Sequence, residues 1–294
     1  MAFLLVGPAA GQERGPVVLR APASTRALGL GNVFAVGSTD SDGLFYNAAF
    51  PDRLRGVSAA VQWWGGRATL YTVSGAMEWW SGALAVGVRS LDYGGGAAVG
   101  PAGLRFGEGE LYERGPTVVS ERAASLAYAR RVKGVRGAVT AHLVEQRTSG
   151  GRAVFAAADL ATGMELGPIA AGLAVRNVGP GDEVDGQDID LPVQVQLTAA
   201  GLRPAPAGAL DVLPVLGLLY EVDGELVPAG GVELSYWPVS GRTFSLRVGA
   251  RRADERVRPW TVGAGFTGDR LILDYALVPL AGDRLVHRFG IRWR

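Results

Sequence analysis

The last thirty residues constrain the fold most, because two consecutive stretches there alternate between an apolar face and a mixed one. Leu271, Leu273, Tyr275 and Leu277 fall on one phase and Asp274 on the other. After a short turn at Ala281, Gly282 and Asp283 the pattern resumes, with Phe289, Ile291 and Trp293 on one phase and Arg288, Gly290 and Arg292 on the other. Successive side chains of a strand point to opposite faces, so one face is continuously apolar while the other carries two fixed cations. A closed barrel in a bilayer satisfies both at once, with apolar groups toward lipid and charged groups toward the interior.

Composition points the same way. Charged residues make up 19% of the chain and mean hydropathy is +0.17, whereas an ordinary soluble domain carries about 25% charge. No uninterrupted apolar run reaches the roughly 18 residues of a membrane helix, so strands would do the crossing. The 29 basic and 28 acidic residues are interspersed and leave a net charge of +1, which gives no electrostatic case for nucleic acid. With no cysteine, disulfides, thiolate catalysis and Cys-ligated metals are excluded.

Three regions follow. Residues 1–11 read as the remnant of a signal peptide, a short apolar run from Phe3 to Val6 followed by the small residues Ala9 and Gly11, although a basic stretch ahead of it is missing. Residues 12–55 are turn-rich with no sustained period, too long for a linker and too rich in glycine for a core layer. Residues 56–294 divide into fourteen candidate strands, near 56–64, 67–78, 82–92, 119–131, 134–146, 151–160, 167–177, 191–202, 208–220, 225–237, 242–251, 257–267, 270–279 and 284–293. Most match the roughly 9 to 11 residues a tilted strand needs to cross the hydrocarbon layer. Alternation fails near Val212 to Leu219, where Pro214 predicts a bulge or a broken strand. The two longest gaps, near 93–118 and 178–190, both follow odd-numbered strands, as expected when long loops gather on the extracellular side and both chain ends are periplasmic. Trp63, Trp64, Trp79, Trp80, Trp237, Trp260 and Trp293 fall near strand ends, where interfacial aromatics belong.

Two motifs in the second region carry a family resemblance. Arg26-Ala-Leu-Gly29-Leu-Gly31-Asn32-Val-Phe34, followed by Asp40-Ser-Asp42-Gly-Leu-Phe-Tyr46-Asn47-Ala-Ala, resembles the N-terminal signature of the PorV/PorQ branch of the FadL-like outer-membrane proteins. Leu173-Ala-Val-Arg176-Asn177-Val-Gly-Pro180 and the closing hairpin resemble further elements of that family. The family's Asn-Pro-Ala is Asn47-Ala48-Ala49 here, so the kink that proline would fix is expected to relax. The resemblance implies an all-β fold, a 14-stranded antiparallel transmembrane barrel in the bacterial outer membrane, with the N-terminal segment folded inside as a hatch. Arg26, Gly29, Gly31, Asn32, Asp40, Asp42 and Asn47 would form the gate.

Chemistry is sparse. The two histidines, His142 and His287, each lie on a candidate strand, and His142 with a nearby Ser or Thr is the one candidate for a hydrolase pair, set against a histidine hydrogen-bonded in the lumen. No G-x-S-x-G, H-E-x-x-H or Walker loop occurs. Asp40-Ser-Asp42-Gly43 starts like a calcium loop but lacks the closing ligands, which favours a turn; the acidic run from Asp182 to Asp190 is either a solvated loop or a surface cation site. Arg89, Arg176, Arg247, Arg288 and Arg292 fall on the less apolar phase of their strands, in reach of Asp40 and Asp42 or of an anionic head group. No catalytic, cofactor or metal site is expected, and the chain is not expected to be an enzyme. The leading expectation is a passive, hatch-gated channel for hydrophobic or poorly soluble molecules, with outer-membrane lipid as a partner. An accessory protein docking exported proteins for type IX-like secretion is the alternative, and a lipid hydrolase the third.

Overall fold

The computed structural model describes residues 15–50, 52–64, 68–94, 118–148, 150–184, 187–222, 224, 226–252, 258–280 and 284–293. The segment expected as a signal-peptide remnant and most of the long loop after the third strand lie outside the described residues, as do the side chains of 183–188 in the acidic run. The strands are β1 (Gly56–Trp63), β2 (Thr69–Trp79), β3 (Gly82–Asp92), β4 (Val118–Val132), β5 (Val135–Thr148), β6 (Arg152–Leu166), β7 (Ile169–Val178), β8 (Asp182–Val184), β9 (Gln187–Ile189), β10 (Gln194–Gly201), β11 (Ala205–Ala207), β12 (Leu210–Glu221), β13 (Leu226–Val239), β14 (Arg242–Arg251), β15 (Trp260–Thr267), β16 (Leu271–Pro279) and β17 (Leu285–Trp293).

Fourteen of them form one closed antiparallel ring; β8 and β9 make a separate hairpin, and β11 pairs with β12 alone. Two seams complete the ring. β1 pairs with β17 from Val57↔Trp293 to Trp63↔His287, and β10 pairs with β12 from Gln194↔Glu221 to Ala200↔Val215. Closure removes the unpaired edges that an open sheet would expose, which is what lets a sheet stand in hydrocarbon.

Alternation decides which residues face where. In β3 the side chains of Ala83, Ala85, Arg89 and Leu91 are buried, while Val86 and Val88 between them are exposed. Leu126, Leu143, Leu160, Leu173, Leu197 and Phe289 continue the exposed apolar band around the ring. Water would penalise so much apolar surface and a bilayer does not. Tight turns fix the register: Trp80 and Ser81 between β2 and β3, and Lys133 and Gly134 between β4 and β5, all have positive φ, matching the twist of a two-residue hairpin. β1 begins and β17 ends on the rim that carries these turns, the periplasmic rim in barrels of this architecture.

Three expectations need correction. β12 runs unbroken through Pro214, which pairs with Val232 of β13. On its other side, β10 reaches only Val215 and β11 only Val212. Pro214 thus sits at a local edge, where a missing N–H costs no ladder bond. β6 extends to Leu166, past the expected end at 160. Trp64 is 1% exposed and packs with interior apolar residues such as Leu70 and Leu91; one residue past the end of β1, it turns inward, while Trp63 stays on the outer face. Trp63 and Trp260 are exposed near one rim and Trp79, Trp80, Trp237 and Trp293 near the other.

Candidate functional site

Residues 15–50 are almost wholly buried and bond to the inward-facing side chains of the wall. Local chemistry shapes this segment. Ser24 caps the short helix α1 (Thr25–Leu28), its hydroxyl accepting from the Ala27 N–H. Beyond the helix, Gly31 takes φ +75, and its N–H donates to Thr261 Oγ1 at 3.0 Å. A Cβ on Gly249 would lie 2.0 Å from the Gly31 nitrogen, so glycine on both sides lets the segment's backbone lie directly on β14. Asn32, with φ 62, accepts from the Tyr46 hydroxyl at 2.9 Å. Asn47 donates to the carbonyls of Thr162 and Leu173 and accepts from the Ala49 N–H at 2.9 Å. That last bond holds the turn at 47–49, where the chain has alanine and not proline.

Ion pairs join segment and wall. Arg26 of α1 makes a two-point contact with Glu233 of β13, both bonds 2.8 Å, and reaches Asp40 at 3.4 Å. Glu233 also accepts from Arg247 at 2.5 Å, and Arg247 continues to Asp274 at 2.6 Å. Asp274 accepts from Arg292, which pairs in turn with Asp40. The chain Arg26, Glu233, Arg247, Asp274, Arg292, Asp40 thus returns to the segment where it began. Within it every buried charge meets an opposite one, the condition under which ions are tolerated away from water. Among the described residues no cation is bonded to Asp42: it accepts from Ser74 at 2.7 Å, and burial, only partly offset by that bond, by the charge of Arg288 and by Ser58 and Ser24, pushes its carboxyl above the usual range.

The other arginines differ in their partners. Arg288, wholly buried, donates to Ala23 O, Thr25 Oγ1, Gln62 Oε1 and Thr72 Oγ1. Arg176 lies over the Tyr46 ring and donates to Leu19 O. Arg89 lies 4.7 Å over the Phe45 ring, is 1% exposed, and none of its guanidinium nitrogens has a hydrogen-bond partner among the described residues.

Two features escaped sequence reasoning. Glu233 is the acidic hub of the ion-pair chain; its only signal was an acid on the inward phase beside Val232. His142, flagged with an unspecified Ser or Thr, has Ser125 Oγ 2.7 Å from its Nδ1 and Asp159 Oδ2 2.9 Å from its Nε2. These three residues lie on β4, β5 and β6, and only the barrel register, Ser125↔His142, could have named the partners. Among the described residues no cluster of His, Asp and Glu is arranged to hold a metal ion, Asp40 and Asp42 included.

Outside, a groove of about 810 Å³ crosses β14–β17, β1 and β2. Tyr71, Phe244, Phe266, Tyr275 and Phe289 line it, and small residues, Ala59, Ala264, Gly265 and Gly290, form its floor. Here the wall is thin. A Cβ on Gly290 would lie 2.5 Å from Thr25 Oγ1 of the N-terminal segment, and Asp274, which borders the groove, belongs to the ion-pair chain.

A closed ring of fourteen strands with an apolar outer band and a charged interior defines a transmembrane β-barrel, an outer-membrane architecture. No protein-family model matches the chain, nor does any curated protein. Solved structures do resemble it. The toluene transporter TbuX of Ralstonia pickettii superposes with a TM-score of 0.61 at 11% identity, covering 96% of this chain and 99% of that one. The P. putida toluene transporter TodX gives 0.57 at 9% identity, covering 95% and 97%, and the CymD monoaromatic hydrocarbon channel 0.56 at 10%, covering 92% and 96%. At such identities the likeness shows the fold alone, a closed outer-membrane barrel of fourteen strands.

Proposed function

We propose that the protein is a passive outer-membrane channel for hydrophobic or poorly soluble molecules, with residues 15–50 as its hatch. The observation that carries this reading is the thin wall at Gly290. There the aromatic groove on the lipid side and the ion-paired segment on the inner side approach within one glycine's thickness, and they share Asp274. A hatch loosened at Arg26, Asp40 and Arg292 would free Thr25 from Gly290, and a lateral outlet would then need the ladder parted where Gly290 pairs with Ala60 and Asp274. Gly29, Gly31 and Asn32 would supply backbone freedom, and Asn47 the far anchor. Passage down a concentration gradient needs no catalysis and no cofactor. The likeness to barrels named as toluene transporters and a hydrocarbon channel supports a small hydrophobic cargo.

The test is uptake of labelled toluene by intact cells that depend on this barrel. Ala264→Trp, which fills the groove without touching the hatch, should lower uptake severalfold. Unchanged uptake would remove the lateral route.

A second reading, docking of exported proteins in a type IX-like secretion system, extends the resemblance to the PorV/PorQ branch. The dense packing of the segment against the inner wall and the outward opening of the groove favour it. Recovery of exported proteins with the purified barrel, together with toluene uptake no greater than in cells lacking it, would decide for docking.

A further inference from the structure

We propose that Ser125, His142 and Asp159 form an acyl-transfer site in the lumen, specific for esters of small apolar acids and held closed by Phe45. The geometry brings together the residue types that such chemistry requires. Ser125 Oγ lies 2.7 Å from His142 Nδ1. His142 Nε2 is 2.9 Å from Asp159 Oδ2 but out of hydrogen-bond alignment. A small tilt of the ring would be needed for that carboxylate, which also lies 4.0 Å from Arg176, to orient it. All three residues are at least nine-tenths buried. Asp159 is itself held in place: its Oδ1 accepts from the Asn177 N–H at 2.7 Å. That N–H is aimed by an irregularity in the β6–β7 ladder between Ala158 and Leu160, with Asn177 at φ 59. A bulge and a left-handed non-glycine residue both carry a conformational cost, and both recur where a fold must re-aim a group.

One buried cation lacks a hydrogen-bonding role elsewhere. Arg89 stands on β3 two residues from Gly87, the register partner of Ser125, and points into the same interior. Its guanidinium nitrogens have no hydrogen-bond partner among the described residues. An oxyanion forming on a carbonyl attacked by Ser125 would give those donors an acceptor, the arrangement that stabilises charge as it develops.

The place an acyl group would take is filled by the N-terminal segment. A Cβ on Gly87 would meet the Phe45 ring at 2.4 Å, and the same ring stacks under Arg89. Displacing Phe45 would open an apolar slot beside Ser125 and expose Arg89 together. The reaction then runs in two balanced halves. Ser125 Oγ bonds to the ester carbonyl carbon as His142 Nδ1 takes its proton, and the alcohol leaves with that proton. Water next attacks the acyl-serine, His142 takes a proton from it, and the carboxylic acid departs as Ser125 regains its hydrogen.

The experiment uses the full-length barrel in detergent, with a fluorophosphonate probe for activated serine and p-nitrophenyl butyrate as substrate. Wild type, Phe45→Ala and the milder Phe45→Leu are compared, each confirmed as a closed barrel by heat-modifiable migration. Labelling should map to Ser125 and rise about tenfold or more on truncation of Phe45. It should vanish with Ser125→Ala, and adding His142→Ala should slow it by the roughly hundredfold or more that general-base assistance supplies. A folded Phe45→Ala or Phe45→Leu barrel unlabelled at Ser125 would overturn the proposal, as would labelling indifferent to His142. Toluene uptake by the wild-type barrel, measured apart from the labelling, separates this outcome from the fate of the channel reading.

Discussion

Glu233→Gln tests the ion-pair chain at its hub. Glu233 holds Arg26 by two 2.8 Å bonds and Arg247 by one of 2.5 Å, so the neutral amide leaves two buried guanidinium groups short of a counter-charge. Breaking a buried pair by removing one partner costs roughly 3–5 kcal/mol. Both arginines keep a second acid, Asp274 at 2.6 Å for Arg247 and Asp40 at 3.4 Å for Arg26, which places the expected cost near the lower bound. About 3 kcal/mol corresponds to roughly two decades in the equilibrium for lifting α1 from the wall. Amide hydrogen exchange by mass spectrometry reads this directly in residues 27–31, whose N–H groups are bonded within the segment or to Thr261. Exchange there should accelerate about a hundredfold while the β4–β6 amides stay protected. A change under about threefold, less than 1 kcal/mol, would mean that apolar packing and not the ion-pair chain seats the segment.

Gly249→Ala places a methyl where the Gly31 nitrogen stands, and because backbone cannot yield as a side-chain tip can, it should expose residues 29–32 to exchange with the ring intact; unchanged protection would refute the close approach. Leu143→Arg puts a cation on the lipid face in the middle of β5, and unfolding equilibria from vesicles should show a loss of about 2–4 kcal/mol; a neutral result would show that this face meets something other than acyl chains. Asp52, just before β1, is affected by burial, which would raise its carboxyl, but Arg136 outweighs that and holds it below the usual range. A depressed acid contributes stability above the ordinary carboxylate range and loses it as pH falls through the depressed value. Acidification through that window should therefore loosen residues 52–54 in wild type, and Asp52→Asn should already be loose at neutral pH and insensitive to the same acidification.

Strand number and membrane residence are local properties of this chain. Period-2 alternation names the lipid face without knowledge of any neighbour, and a two-residue turn such as Lys133-Gly134 fixes its own hairpin. Hence even Phe289, Ile291 and Trp293 read alone point to a barrel. Partnership is a different kind of information. Arg26 meets Glu233 across 207 residues and Ser125 meets His142 across a strand register. No pattern within either stretch encodes such a meeting, because it depends on how fourteen strands close and what then fills the space within them. Pro214 and Trp64 teach the same lesson from the other side. One proline is harmless only because two neighbouring strands stop short of it, and one tryptophan turns inward because the chain bends just past β1. Sequence determined the wall; tertiary structure decided which charges face each other across the lumen, and with them everything proposed about gate and chemistry.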